Sequence, residues 1–225
     1  MTISIIKKPF SPRLKPAKLL LIVPMAAAFG VSACQSSVPN VPQQNESSNS
    51  VVTLAPALSK QQQLTQQAND IKQALVNKNY QAITSHIHPT KGVRFSMYAY
   101  VQPGSDKVFS RQQFTQYLKE SRIKFTWGEK DGTGDIYITT LPDYLNTWVA
   151  DGLNKANSMS YNTFQGSGNS LNNLKEKYPN TDFVEFYSAG TEQYSGMDWR
   201  ALRLVFEEHQ GQYYLVAIVN DQWTI

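Results

Sequence analysis

The run Tyr213-Tyr214-Leu215-Val216-Ala217-Ile218-Val219 is apolar at seven consecutive positions, so a strand built from it must be covered on both faces. It belongs in the middle of a sheet, and the rest of the chain has to supply strands on either side and layers above and below. The segment before it, Trp199–Glu207, alternates instead: Leu202, Leu204 and Phe206 share one face, with Arg203 and Glu207 opposite. Between the two, Glu208-His209-Gln210-Gly211 reads as the turn of a hairpin. Phe183–Tyr187 supplies a further strand.

The earlier part of the chain is helical before it is extended. Ser59 is an N-cap candidate, and Leu64, Ala68, Ile71 and Leu75 recur at helical spacing. Tyr80, Ile83 and Ile87 suggest a second, short helix stopped at His88-Pro89. Strand-like segments are expected at Val93–Val101, Ile123–Trp127 and Ile136–Thr139, with a Ser110-capped helix over Arg111–Lys119. Asp131-Gly132-Thr133-Gly134 is turn chemistry, and Leu141–Val149 looks helical with Pro142 in its first turn. Residues 152–181 are the least regular stretch, with one helix expected over Leu171–Tyr178 and Gly166-Ser167-Gly168 read as a flexible loop. Helices first and long antiparallel strands last make an α+β order, with N-terminal helices packed on a curved antiparallel sheet.

The charge distribution separates a leader from this domain. Lys7, Lys8, Arg13, Lys15 and Lys18 all precede residue 34 and no acid does, so the remainder holds 21 − 5 = 16 basic side chains against 17 acidic ones. A balance of −1 gives the domain no pull toward phosphate, so nucleic acid is not an expected partner. An apolar run from Leu19 to Phe29 follows the basic stretch. It falls short of the roughly 20 residues a membrane-crossing helix needs and holds Pro24. The run ends in Val31-Ser32-Ala33-Cys34, which contains the only cysteine.

That string resembles the lipobox of bacterial lipoprotein precursors. The resemblance implies a signal peptide at 1–33 and a Cys34 acylated and exposed as the new N-terminus. A membrane anchor then follows, since each buried methylene contributes about 0.8 kcal/mol. In that family Gln35, standing where an Asp commonly retains the protein at the inner membrane, leans toward the outer membrane, periplasmic side. Residues 34–56 then read as acylated cysteine and tether, and 57–225 as one α+β domain with an irregular insertion at about 152–181.

A second resemblance rests on Ala74-Leu75-Val76-Asn77-Lys78-Asn79-Tyr80-Gln81-Ala82-Ile83 and His86-Ile87-His88-Pro89, which look like the opening of NTF2-like domains. It covers about 60–150 and 182–225 and implies helices closing one side of a curved sheet around a conical pocket. The chain is also similar to uncharacterised secreted bacterial proteins and lipoproteins that share three strings: His88-Pro89-Thr90-Lys91-Gly92-Val93-Arg94-Phe95-Ser96, the segment Gly196–Glu207, and Asp221-Gln222-Trp223-Thr224-Ile225. That likeness implies no activity.

The chemistry-bearing motifs are few. His86 and His88 stand at i, i+2 and His209 is the only other histidine, with no HExxH string or cysteine set, so no metal site is expected. No nucleophile elbow and no phosphate-binding glycine loop occurs, and no cofactor is implied. One juxtaposition remains. Met197-Asp198-Trp199-Arg200 opens one hairpin strand and Asp221-Gln222-Trp223 closes the next, so Asp198, Trp199, Arg200, Asp221 and Trp223 should meet at one end of the sheet. Acids beside indoles suit sugar or peptide recognition, while the bland alternative is a structural Asp–Arg pair sealed by tryptophans. In an NTF2-like cone His88, Arg94 and Tyr98 would join them. The expectation is a non-enzymatic binding or accessory module for a peptide, a glycan or an envelope protein. The alternative is a small hydrolase or isomerase with Asp198 or Asp221 as general base.

Overall fold

The computed structural model describes residues 57–120, 122–166 and 168–225; the expected signal peptide, Cys34 and the tether lie outside the described residues. Helix α1 (Lys60–Val76) starts at a reciprocal cap. Ser59 Oγ accepts from the Gln62 N–H while the Gln62 side chain accepts from the Ser59 N–H. Its buried stripe is Leu64, Ala68, Ile71, Ala74 and Leu75. The expected second, short helix follows at Tyr80–His86 as a 3-10 helix. Helix α2 (Arg111–Lys119) repeats the capping box with Ser110 and Gln113. The expected helix at Leu141–Val149 is longer than its pattern. It comprises α3 (Leu141–Tyr144), a wide π turn at Leu145–Val149 and α4 (Ala150–Lys155) in one run.

The main sheet has six strands in the order β2-β1-β8-β7-β6-β5. These are β1 (Val93–Ser96), β2 (Lys107–Phe109), β5 (Ser158–Tyr161), β6 (Asp182–Ser188), β7 (Arg200–His209) and β8 (Gln212–Gln222). β3 (Lys124–Glu129) and β4 (Ile136–Thr140) form a separate hairpin. The apolar run does lie centrally, in β8 between β7 and β1. The sheet is antiparallel except where β1 runs parallel to β8. The fold is α+β, helices on a curved, antiparallel-rich sheet.

Four local expectations need correction. β1 stops at Ser96 and does not reach Val101, because Ser96 Oγ donates to the Tyr98 carbonyl at 3.0 Å and turns the chain. The β7–β8 turn is two residues, Gln210 and Gly211, both at positive φ (54° and 76°), so His209 pairs with Gln212 inside the ladder. Residues 152–181 contain an edge strand, β5, and helix α5 is only Leu174–Lys177. Gly166 and Gly168 are packing positions: a Cβ on Gly166 would lie 2.7 Å from Ala201 Cβ, and one on Gly168 would lie 2.8 Å from the Trp199 indole.

Two layers cover the sheet. On the inner face Phe95 is surrounded by Phe109, Phe114, Trp127 and Tyr144 at ring distances of 5.8–6.2 Å, and Trp127 stacks on Tyr144 at 3.7 Å. The deep interior where the family resemblance puts a cone is therefore filled with aromatic side chains, all buried. On the outer face Val101, Leu174, Phe183, Val205 and Val219 pack with Phe164 and Tyr178 from the irregular segment. A bulge between Val205 and Phe206 leaves Val216 unopposed, and both Val216 and Ala217 join this outer cluster.

Candidate functional site

β7 and β8 do lie side by side at their far ends, with Arg200 opposite Gln222 and Ala201 opposite Asp221. Side-chain alternation then separates the five predicted residues. Trp199 and Asp221 lie on the outer face, where the indole packs on Gly166 and Gly168. Arg200 belongs to the inner parity with Leu202. Asp198 is exposed before the strand, its carboxylate accepting from Thr191 N at 2.6 Å and Thr191 Oγ1 at 3.1 Å. Those bonds hold its pKa below the ordinary value. Trp223 is half-buried beyond β8.

Asp221 belongs to a buried ionic triad. Arg203, fully buried, donates from Nε to Glu185 at 2.7 Å and from Nη2 to Asp221 at 2.7 Å and to the Gly166 carbonyl at 2.9 Å. Glu185 accepts in turn from the backbone N–H groups of Gln165 and Gly166, and Asp221 from Ser170 Oγ and Gln222 N. Phe164 lies over the guanidinium at 4.7 Å. The sequence pattern put Arg203 opposite the apolar face correctly, but that face is covered by residues 162–178 rather than water. The expected structural pair exists, with Arg203 in place of Arg200.

His88 lies toward the other end of β8, beside Leu215, whose carbonyl accepts its backbone N–H. Its Nδ1 accepts from Lys91 N at 3.1 Å and Thr90 N at 3.3 Å, closing the turn after the 3-10 helix. The buried ring packs 4.8 Å from His209. Arg94 occupies the outer face of β1 and donates to Tyr178 Oη at 3.1 Å. Neither residue converges with the β7–β8 ends.

Of the eight, Tyr98 lines the hollow at the end of β1, and the other seven do not. This hollow, about 380 Å³, opens where β1 stops, between the loop Met97–Asp106 and the β3–β4 hairpin. Its walls carry the apolar groups of Met97, Trp127 and Ile136, the Tyr98 and Tyr100 residues, and polar Gln102, Ser105 and Thr126. The bulge between Thr126 and Gly128 turns Trp127 inward, where Nε1 donates to the Thr139 carbonyl at 3.1 Å. Tyr98 is fixed on two sides: Oη accepts from Asp131 N at 2.8 Å and its ring meets Trp148 edge-on at 5.8 Å. Burial is the main reason its phenol pKa rises, with Asp131 N–H and Arg200 opposing.

The cavity's one buried carboxyl is that of Asp106, which no sequence pattern singled out. Its side chain is only 7% exposed. Oδ2 accepts from Gln102 N at 2.9 Å and lies 3.7 Å from Arg94 Nη1, an ion pair without a hydrogen bond. Desolvation outweighs the opposing Gln102 amide, Arg94, the Ser96 hydroxyl and Lys107, and pushes the carboxyl pKa above its ordinary value. The sequence pattern assigns residues 102–109 to no element, and the packing around Asp106 is what buries its carboxyl.

Among the described residues no group of three or more His, Cys, Asp or Glu side chains is placed to hold a metal ion. No helix among them is long and apolar enough to cross a membrane. No known family and no curated protein matches this chain. Solved structures with some likeness include a calcium/calmodulin dependent protein kinase II association domain from Xanthomonas campestris (10% identity, 75% of this chain and 91% of that one, TM-score 0.33). A DUF4783 family protein from Bacteroides ovatus shares 11% identity over 68% of this chain and 91% of that one, with a TM-score of 0.27. A chain named for NTF2 shares 11% over 69% and 97%, with a TM-score of 0.26. Likenesses at this level carry no functional argument.

Proposed function

We propose that this chain is an envelope-tethered binding or accessory module on an NTF2-like scaffold. It is held through an acylated Cys34, on the periplasmic side of the outer membrane, and recognises a peptide, a glycan or an envelope protein. The observation that supports this most is the cavity beside Asp106: the deep interior is packed with rings, so the hollow at the sheet's end is where a ligand can enter. Tyr98, Tyr100 and Ile136 offer it aromatic and apolar surface, with polar groups at the rim. The enzymatic alternative needs a carboxylate facing a cavity. Asp198 and Asp221 are committed elsewhere, which leaves the buried Asp106 and the exposed Glu129 as the acids such a reading would have to use.

The test has two parts. Mass spectrometry of the membrane-extracted protein should find a chain starting at Cys34 with acyl additions, and an unmodified Met1 terminus there would overturn the anchoring. Binding to panels of envelope peptides and glycans should be lost in Ser105→Trp, which fills the cavity from its exposed rim. Retention undiminished by that plug would overturn the pocket as the site.

A further inference from the structure

The charge of the cavity wall says more than its size. Twelve residues line the hollow; two of them, Asp106 and Glu129, are acidic and none is basic. Asp106 is nine-tenths buried, yet its carboxylate receives one backbone hydrogen bond, from the Gln102 amide, with the Ser96 hydroxyl, which also donates to the Tyr98 carbonyl, beside it. Asp221, buried to a similar degree, receives three, from Ser170, Gln222 and Arg203. Arg94 stands near Asp106 but is not part of the lining, and 3.7 Å with no hydrogen bond leaves the acid under-compensated. The same hollow is lined by Tyr98 and Tyr100, residues whose ring faces attract cations, and by Met97 and Ile136, whose apolar groups suit an alkyl stem.

We propose, resting on the binding function assigned to this pocket, that the cavity takes an organic ammonium: a positively charged nitrogen on a short aliphatic chain, seated against Asp106 with its stem along Met97, Tyr98 and Ile136. An anion is repelled by Asp106 and Glu129 and finds no cation in the wall. A lysine side chain of a peptide and a free alkylamine share this chemistry.

The experiment uses the full chain in detergent and n-butylammonium as probe, with n-butanol and butyrate as neutral and anionic isosteres, followed by NMR of the tryptophan indole and backbone signals. The expected result is saturable shifts at Tyr98, Trp127 and Gly128 with n-butylammonium, and at least about tenfold weaker binding of the two isosteres. Asp106→Asn should lose that preference while keeping the wild-type spectrum elsewhere. Should that variant not fold, Glu129→Gln on the exposed rim should weaken the ammonium about two- to fivefold. Nα-acetyl-lysine amide and a lysine-centred tripeptide then separate the sources: a tripeptide binding more tightly than the free amine assigns the site to a peptide side chain. Equal binding of all three isosteres would overturn the cation claim and leave the pocket standing. No shift with any probe would overturn both.

Discussion

Asp106 and Asp221 are both buried carboxylates near one end of the same sheet, and in both desolvation lifts the pKa above the ordinary value. They differ in what surrounds them. Asp221 sits in a closed network with Arg203 and Glu185, under a segment whose backbone amides and glycines are fitted to it. Asp106 has one amide, the Ser96 hydroxyl nearby, a guanidinium at 3.7 Å without a hydrogen bond, and an open cavity. The direction of a pKa shift therefore does not separate a structural acid from one free to meet a ligand. The count of donors does.

The largest way to break this comparison is Arg203→Ala. It leaves Glu185 and Asp221 buried beside each other without their cation, and removing one partner of such a network costs about 3–5 kcal/mol. Denaturant unfolding measures it, and the loss of ordering in residues 162–172 should appear as faster amide exchange there. On the pocket side, Arg94→Met should cost only about 1–2 kcal/mol, chiefly the bond to Tyr178, because its link to Asp106 is long. A loss as large as that of Arg203→Ala would mean Asp106 is held by Arg94 after all.

A third, smaller effect comes from pH. Burial lowers the pKa of His86 and of His88. At His88, Glu207 opposes that shift, while His209, Lys91 and Arg111 reinforce it. The unfolded chain then binds more protons than the folded one in the window from the lowered values up to about 6.5, so stability should fall as pH drops through it. The raised acids act with the opposite sign at lower pH: Asp106 and Asp221 favour folding as they protonate, in the window between the unfolded value near 3.9 and their raised ones. His88→Asn keeps an acceptor for Lys91 N and removes a titrating ring, so the slope near pH 6 should flatten. An unchanged slope would assign it elsewhere.

Local chemistry made much of the fold legible. Ser59 with Gln62 and Ser110 with Gln113 are capping boxes within four residues, and α1 shows its buried stripe at helical spacing. The apolar continuity of β8 announced a central strand. The site was less legible because it depends on what covers each face. Arg203 lay on the correct side of β7, yet nothing local says that residues 162–178 fold over it. The three-residue β2 and four-residue β5 are too short for a period to show. Asp106 falls in a stretch, 102–109, that the sequence pattern assigns to no element, so its burial is not anticipated.

The most direct test of the contrast is to replace each acid with its amide and unfold the two variants side by side. At position 221 the new NH2 must face either Arg203 Nη2 or the Gln222 N–H, a donor against a donor, and a loss of about 1–3 kcal/mol is expected. At position 106 the amide oxygen can keep the Gln102 bond while the NH2 turns to the cavity, so Asp106→Asn should match or exceed wild-type stability. Equal losses in Asp106→Asn and Asp221→Asn would make Asp106 a second structural acid and contradict the account.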